Sequence, residues 1–297
     1  MNPIAIVKAK KLKRPPTSIC SAFGRVYVAT KGRRVFYFSD DGKTSKSIKF
    51  ACQVNSVCSN NDTLFCAQAD GKIFGLNEAS KSIFKVSSGD SSIICSAFCE
   101  DLFVADGNGK ITVFGTNSLV KNSYFIESLS VTDFDISKSK ILAVSFQNSQ
   151  KICIFETSSK KESTSVKLSE DYPEICKILA EDQLVIGTTK GLVSIFSMIT
   201  KKRISFCKLG SKIASVHIIN RNLLLVGTVN SKISLISISD FNKMDIVEKI
   251  DVDGIPVDFC SHNGVVVCAL SRESRLGRWD LNRKAHNQII HLKIDSL

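Results

Sequence analysis

Cationic side chains recur at one position of a short motif that the chain repeats seven times. Each copy has a Gly or polar turn, the recurring residue, an alternating apolar stretch and a bulky final residue. The final residues are Phe38, Leu76, Phe114, Phe155, Phe196, Ile236 and Trp279. The residues four positions earlier are Arg34, Lys72, Lys110, Lys151, Leu192, Lys232 and Arg275, of which six are cationic. These six cations, the basic ring, could bind nucleic-acid phosphates by releasing counterions. Alternatively, each long side chain simply covers the start of a strand.

Residues that could carry out catalysis or hold a metal form no recognisable pattern. The histidines are His217, His262, His286 and His291, and none has metal-ligand spacing with Cys, Asp or Glu. The sequence contains no Gly-x-Ser-x-Gly, His-Glu-x-x-His or phosphate-loop motif. Asp133 and Asp135 are a close carboxylate pair, but two carboxylates alone are weak evidence for acid–base catalysis. We therefore expect no enzymatic activity, cofactor, metal or small-molecule substrate.

The spacing of the motifs predicts the architecture that must position the basic ring. The final residues lie 38, 38, 41, 41, 40 and 43 positions apart. Each copy shows strand-type alternation, with hairpin signals such as Asp70-Gly71 and Asn108-Gly109. A period near 40 in seven copies predicts an all-β fold, a seven-bladed β-propeller of four-stranded antiparallel blades. We expect one domain over residues 1–297.

Strand boundaries follow from the alternation in each copy. The second copy predicts strands at Val54–Cys58, Leu64–Gln68, Lys72–Leu76 and Ile83–Val86. The second strands of the other copies are predicted at Arg25–Ala29, Leu102–Ala105, Ile141–Ser145, Leu184–Gly187, Leu223–Gly227 and Val265–Leu270. The chain termini are expected to close the ring, because an open sheet edge invites aggregation. Either Ile4–Lys11, within a basic closing segment at 1–16, or His286–Ile294 could supply the outer strand of the last blade.

The net charge of +12 is concentrated at the two chain ends. Residues 1–50 carry 12 Lys and Arg against 2 Asp, residues 270–297 carry 6 against 3 acids, and the remainder has a net charge of −1. Closure of the ring would merge both ends into one seam patch. Its residues are Lys8, Lys10, Lys11, Lys13, Arg14, Arg25, Lys31, Arg33, Arg34, Arg272, Arg275, Arg278, Arg283 and Lys284. We expect this patch to bind an acidic partner, with RNA as the first candidate.

Other features bear on cellular location. The 11 cysteines include no Cys-x-x-Cys pair and lie mainly in apolar strands, which favours reduced, buried thiols in a nuclear or cytosolic protein. No apolar stretch of 18 residues and no secretory leader pattern is found, so no membrane contact is expected. The run 10–14 could act as a nuclear import signal, or could be partly hidden if Ile4–Lys11 is a strand.

Two segments resemble the third strand of WD-repeat propellers: Asp70–Leu76 (DGKIFGL) and Leu276–Asp280 (LGRWD). Only the last copy keeps Trp-Asp, and the family's Gly-His dipeptide is absent throughout. Lys is ordinary in this family at the basic-ring position.

A second resemblance lies in the middle of the chain. Val104–Ile111 (VADGNGKI) and Leu129–Ser137 (LSVTDFDIS) resemble consecutive blades of the non-catalytic WD-repeat subunit of tRNA guanine-N7 methyltransferase. That subunit holds the catalytic subunit and helps it keep tRNA. In the turn corresponding to the family's enzyme-docking turn, only Lys151 and Ile152 match.

Three hypotheses for function follow from these observations. The first is a non-catalytic scaffold subunit of an RNA-associated complex for tRNA modification or ribosome assembly. It would hold a partner protein, such as a catalytic methyltransferase subunit, and could hold RNA on the seam patch. The alternative is a protein–protein scaffold in an unrelated checkpoint, transport or signalling complex. An enzyme with a propeller pocket is the third and weakest reading.

Overall fold

A computed structural model of the chain describes residues 3–39, 45–60, 62–89, 91–115, 118–125, 129–139, 141–158, 162–169, 171–239, 243–275 and 281–295. These residues form 28 strands in seven four-stranded antiparallel sheets, which confirms the seven-bladed propeller. No helix within them is long and apolar enough to cross a membrane.

The first four blades follow one another along the chain, each with its strands in sequence order. Blade 1 consists of β2 (Pro16–Ala22), β3 (Arg25–Thr30), β4 (Arg34–Phe38) and β5 (Ser45–Lys49). Blade 2 consists of β6 (Val54–Ser59), β7 (Leu64–Gln68), β8 (Lys72–Leu76) and β9 (Ser82–Ser87). Blade 3 consists of β10 (Ile93–Cys99), β11 (Asp101–Asp106), β12 (Lys110–Phe114) and β13 (Val120–Phe125). Blade 4 consists of β14 (Val131–Ile136), β15 (Ile141–Phe146), β16 (Lys151–Glu156) and β17 (Glu162–Lys167).

The last three blades include the one that joins the two chain ends. Blade 5 consists of β18 (Pro173–Ala180), β19 (Gln183–Thr188), β20 (Leu192–Ser197) and β21 (Arg203–Lys208). Blade 6 consists of β22 (Ile213–Asn220), β23 (Leu223–Thr228), β24 (Lys232–Ser239) and β25 (Lys243–Asp251). Blade 7 consists of β26 (Ile255–His262), β27 (Val265–Ser271), β28 (Gln288–Ile294) and β1 (Ile4–Lys11), in that order from the centre outward.

Both termini contribute to blade 7, which resolves the alternatives left open by the sequence. The N-terminal strand β1 is the outer strand, and it pairs with β28 from Ile4 opposite Ile294 to Lys11 opposite Gln288. The third strand is therefore β28, and the prediction of a third strand ending at Trp279 is wrong. Residues 276–280 themselves lie outside the described residues. The pairing favours β28 because Ile289, Ile290 and Leu292 become almost fully buried against the blade.

Apolar side chains on both faces of each sheet hold the ring together. The middle strands are buried on both faces, so they have nearly continuous apolar sequences rather than strict alternation. The core consists of apolar clusters between neighbouring blades; one joins Ile152 and Val166 of blade 4 to Leu184 and Phe196 of blade 5. All 11 cysteines are free, and eight of them are buried in these layers, where burial raises their thiol pKa values.

The antiparallel order fixes which residues share an end of the ring. The first and third strands of each blade run in the same direction, so both begin at one end, which we call the upper end. The upper end also carries the turns between second and third strands, and the lower end carries the other two turns of each blade. Tight upper turns explain glycine at sites such as Gly71, where φ is +79° and a Cβ would lie 1.9 Å from the Gly89 carbonyl oxygen.

Candidate nucleic-acid interface

Five members of the basic ring occupy equivalent places at the upper end. Arg34, Lys72, Lys110, Lys151 and Lys232 are each the first residue of a third strand, in blades 1, 2, 3, 4 and 6. Blade 5 has Leu192 at this place, as the sequence shows, and blade 7 has Gln288. The repeat register thus correctly aligned five cations, and the position in blade 7 was assigned to the wrong residue.

Most of these ring cations already have partners within their own blade. Lys72 Nζ lies 2.7 Å from the Asp70 carboxylate, Lys151 Nζ 2.9 Å from Glu162 and Lys232 Nζ 2.8 Å from Asp251. The guanidinium of Arg34 donates to Ser47 Oγ at 2.7 Å. A phosphate would have to compete with these carboxylates. The geometry therefore supports the alternative reading, in which the ring residues mainly stabilise the starts of third strands.

Blade 7 differs from the others by a long insertion at the upper end. In blades 1 to 6 the second and third strands are joined by three or four residues, whereas residues 272–287 join β27 to β28. Within this insertion the Arg272 guanidinium donates to the Arg283 carbonyl oxygen at 2.9 Å, and the Arg272 N–H donates to the Asn287 side chain. The backbone N–H of Leu12 donates to the Asn287 carbonyl at 2.7 Å. The insertion is thereby fixed to the segment that leads from β1 into blade 1.

The upper turn of blade 1 also contacts this insertion. Lys31 Nζ lies 3.1 Å from the Glu273 carboxylate and donates to the Ser274 carbonyl at 3.3 Å. Arg14 packs along the backbone of this turn, because a Cβ on Gly32 would lie 2.8 Å from Arg14 Cγ. Three separate parts of the chain therefore meet at the junction of blades 7 and 1: residues 12–15, residues 31–34 and the described parts of the insertion, 272–275 and 281–287.

The cations of these three segments form the part of the seam patch that lies at the upper end. Seven of them are solvent-exposed, and we call this set the upper seam: Lys13, Arg14, Arg33, Arg34, Arg272, Arg283 and Lys284. Lys8, Lys10 and Lys11 lie beside it on β1, where Lys10 Nζ sits 4.8 Å from the centre of the Phe38 ring. Arg278 lies outside the described residues. Arg25 belongs to the lower end, since it begins β3, and it pairs with Glu78 at 3.5 Å.

Arg275 does not lie on the exposed rim that its place in the repeat predicted. Its guanidinium donates to the Thr132 carbonyl of blade 4 at 2.7 Å, and it lies 3.9 Å from the Asp133 carboxylate. Its side chain is only 15% exposed. The reason is the insertion, which directs Arg275 from blade 7 across the central channel instead of along a third strand.

The central channel contains a charged cluster around Arg275. The first strands line a cavity of about 520 Å³, into which Lys177 projects from blade 5 and Asp135 from blade 4. Lys177 Nζ lies 2.8 Å from the Asp133 carboxylate. Burial lowers the pKa of Lys177, but Asp133 and Asp135 outweigh this effect, so its pKa lies above the ordinary value. Burial raises the pKa of the Asp135 carboxyl, with Lys177 opposing the shift.

Polar side chains at one register of the first strands link each blade to the next. Every first strand has a register shift near its start, and the residue after it faces the following blade. Four side chains at this register accept a hydrogen bond from a backbone N–H of the next blade. The pairs are Ser18 with Val57, Ser56 with Ser96, Asp133 with Cys176, and Asp258 with Ile19. These bonds satisfy buried N–H groups that no blade can satisfy alone.

Sequence reasoning missed both the channel cluster and the inter-blade links. The available signal was a polar residue at the same register in apolar first strands, which recurs at Ser18, Ser56, Asp133, Ser215 and Asp258. Asp133 and Asp135 were noticed only as a possible acid–base pair. Their contacts with Lys177, Arg275 and neighbouring backbone show a structural use of both carboxylates.

Comparison with known proteins gave matches by structure alone. A scan against protein-family models found no match, and a search of curated proteins found none either. The WD40 repeats of RRP9 superpose with a TM-score of 0.89 at 13% identity, covering 98% of this chain and 97% of that one. The chain has a WD40 β-propeller fold. U3-55K has a TM-score of 0.88 at 13% identity with 98% of each chain covered, and a chain of the Mitotic Checkpoint Complex has 0.83 at 12%, covering 98% and 92%. At such identities the likeness establishes the WD40 fold and leaves the function to the residues on its surface.

Proposed function

We propose that this protein is a non-catalytic scaffold subunit of an RNA-associated complex and that the upper seam binds the RNA. The observation that carries the proposal is the meeting of three basic chain segments at the junction of blades 7 and 1. The upper seam contributes seven exposed cations from residues 12–15, 31–34 and 272–287. A concentrated basic surface attracts a polyanion through counterion release and steers its approach.

The distribution of charge over the rest of the molecule supports this location. Residues 51–269 have a net charge of −1, so the whole positive excess of the chain lies at the chain ends that form blade 7 and the adjoining blade 1. The ring cations of blades 2, 4 and 6 are ion-paired within their blades. The exposed guanidinium and ammonium groups of the upper seam are therefore the best phosphate-binding groups on the upper end.

The finer assignment rests on the sequence. Val104–Ile111 and Leu129–Ser137 resemble blades of the non-catalytic subunit of tRNA guanine-N7 methyltransferase, and this favours tRNA modification as the process. Ribosome assembly is the other process that fits a basic scaffold. In either case the protein would hold at least one partner protein, in the nucleus or the cytoplasm.

The salt dependence of RNA binding tests the proposal. Purified protein is titrated into labelled tRNA and ribosomal RNA fragments, and gel shifts are measured at several salt concentrations. Binding should weaken steeply with salt, since each phosphate contact contributes a slope of about −0.7 to −0.9 in log K against log salt. An absence of binding at low salt, or binding that salt does not affect, would rule out the upper seam as an RNA site.

A protein–protein scaffold in an unrelated complex is the second candidate, and one observation favours it. The aromatic residues of blade 1 are used in packing, as Tyr37 stacks on Tyr27 with ring centres 5.4 Å apart. They are thus poorly placed to stack on bases. In this case the upper seam would bind an acidic protein segment, and an affinity purification would contain neither a methyltransferase nor a ribosome-assembly factor.

A further inference from the structure

A groove between blades 4 and 5 is separate from the upper seam and has not entered the proposed function. Its volume is about 650 Å³, and it opens between the end of β17 and the outer strands β20 and β21. Blade 5 is also one of the two blades whose third strand does not begin with a cation, and it begins with Leu192. The groove thus replaces the ion-paired lysine of other blades with an apolar side chain.

The floor of the groove is apolar and contains one hydroxyl group. Leu192, Ser194 and Phe196 alternate along β20, so their side chains share the face that packs towards blade 4, where Leu168 completes the floor. Ser194 is fully buried, and its Oγ has no hydrogen-bond partner among the described residues. A buried hydroxyl without a partner is costly, and it marks a place where a ligand could supply the missing bond.

Cations stand at both ends of this floor. Lys208 lies opposite Leu192 in the β20–β21 register, at the upper end, and Lys167 at the end of β17 lies on the same side. Arg203 lies opposite Phe196 at the lower end, next to Lys201 in the turn before β21. Among the described residues, Lys167, Lys201 and Lys208 make no ion pair, and all are exposed.

One carboxylate, that of Asp171, lines the groove beside five cationic side chains, so the net charge of the lining is positive. Asp171 accepts hydrogen bonds from Thr189 Oγ1 at 2.6 Å and from the backbone N–H groups of Tyr172 and Lys190. Burial raises the pKa of Asp171, but these bonds and that of Thr188 outweigh it, so the pKa lies below its usual value. Asp171 is only 7% exposed and shapes the turn before blade 5. The groove therefore presents positive charge to a ligand.

The spacing of the charges selects the shape of the ligand. Leu192 and Phe196 are four residues apart on one strand, which separates the two cationic ends by about 13 Å. In an extended peptide the side chains of residues i, i+2 and i+4 point to one side, and the first and last are also about 13 Å apart. Acidic residues at i and i+4 would meet the two cationic ends, while an apolar residue at i+2 would lie on the floor.

The aromatic residue that lines the groove, Phe196, favours a peptide over RNA. Phe196 is buried to 7% exposure and offers no free ring face. Phe206 is 54% exposed and is not part of the groove lining, and the Arg203 guanidinium lies 4.5 Å from its ring centre. Base stacking on single-stranded RNA needs an accessible aromatic face. We propose that this groove is a docking site for an extended acidic peptide of a partner protein, with two acidic residues flanking an apolar one.

Fluorescence anisotropy with a defined peptide tests this site. The probe is a fluorescein-labelled peptide containing Glu-Ser-Leu-Ser-Glu, compared with Gln-Ser-Leu-Ser-Gln and Glu-Ser-Ser-Ser-Glu versions. We expect saturable binding of the first peptide and about tenfold or greater weakening for each of the other two. The protein variant K201Q/R203Q/K208Q should bind the first peptide about tenfold or more weakly than the wild type does. It should leave RNA binding at the upper seam unchanged, which separates this site from the proposed function.

A matched control variant removes three positive charges outside the groove. K81Q/K138Q/K202Q changes three exposed lysines outside the groove, one of them between Lys201 and Arg203, and should keep the wild-type affinity for the peptide. Three results would overturn the proposal: no saturation by the acidic peptide, equal loss in both variants, or an oligouridylate that binds this groove more tightly than the peptide. The last result would reassign the groove to nucleic acid.

Discussion

Replacement of Asp258 should show how the ring is held closed. The Asp258 carboxylate on blade 7 accepts the Ile19 N–H at 2.9 Å and the Ser18 hydroxyl at 3.0 Å, both from blade 1. It also accepts the N–H of Phe259 at 2.9 Å. These bonds connect the last blade to the first at the channel wall, where the chain itself provides no covalent link between β26 and β2.

The expected loss of stability follows from the hydrogen-bond donors that lose their acceptor. In Asp258→Ala, the buried Ile19 N–H is left unpaired at a cost of about 1–3 kcal/mol. The Ser18 hydroxyl keeps a second partner, the Val57 carbonyl at 3.4 Å, so its loss is smaller. Burial raises the pKa of Asp258, so holding its ionised carboxylate inside the fold has a cost, and removing the side chain recovers part of that cost. We expect a net loss of about 1–3 kcal/mol in the free energy of unfolding.

Asp258→Asn is the matched control for this change. The Ile19 N–H and the Ser18 hydroxyl bond the same carboxylate oxygen, so the amide oxygen of Asn can accept both, while the buried charge is gone. The amide NH₂ then faces the Phe259 N–H, and that bond is lost. We expect this variant to stay within about 1 kcal/mol of the wild type at pH 7. Urea unfolding followed by circular dichroism measures both variants. The reasoning would be refuted if Asp258→Ala were as stable as the wild type, or if Asp258→Asn were as damaged as Asp258→Ala.

Two further predictions concern the closing strand and the channel. Deletion of residues 1–11 removes β1 and its buried Ile4 and exposes the edge of β28. Because an exposed strand edge promotes association, size-exclusion chromatography should show aggregates instead of a monomer. A stable monomer would contradict closure of the ring by β1. Burial, assisted by Lys177, lowers the pKa of His217 to about 4, so the unfolded chain binds more protons and stability falls as the pH drops from 6.5 towards 4. Between pH 7 and pH 5 the free energy of unfolding should fall by about 1–2 kcal/mol less in His217→Gln than in the wild type, as measured by urea titrations. Identical pH profiles of the two proteins would refute this prediction.

The strands that were predicted best are those with strong local signals. Leu64–Gln68 and Lys72–Leu76 were predicted with the observed boundaries, because the Asp70-Gly71 turn and the apolar runs fix the hairpin without help from other blades. Other second strands differ by about one residue at an end, as in Arg25–Thr30 against the predicted Arg25–Ala29. Local pattern and global fold agree in these segments.

The third strand of blade 7 could not be predicted from local pattern. The segment Leu276–Asp280 has a WD-repeat-like sequence, whereas the competing strand Gln288–Ile294 places Ile289, Ile290 and Leu292 in the core. The choice between them depends on apolar area buried across the whole blade, which a seven-residue window does not contain. The same error misplaced Arg275, since its path across the channel follows from the insertion.

The site was predicted in part for a related reason. Circular closure correctly indicated that the two basic chain ends would become neighbours. The sequence did not reveal which cations are ion-paired, because Lys232 and its partner Asp251 are 19 residues apart and face each other only through the β24–β25 pairing. It also gave no sign of the groove between blades 4 and 5, which depends on the packing of two blades.

Charge reversal in the upper seam, compared with an equal reversal at the lower end, tests the central claim most directly. The seam variant is K13E/R33E/R283E/K284E, and the control is K81E/K138E/K202E/R221E, whose four exposed cations lie in lower turns. Both change the net charge equally. In RNA titrations at several salt concentrations, the seam variant should bind about tenfold or more weakly, with a salt slope reduced by about three, while the control stays within about twofold of the wild type. Equal losses in both variants, or wild-type binding by the seam variant, would contradict the assignment of the upper seam as the RNA-binding surface.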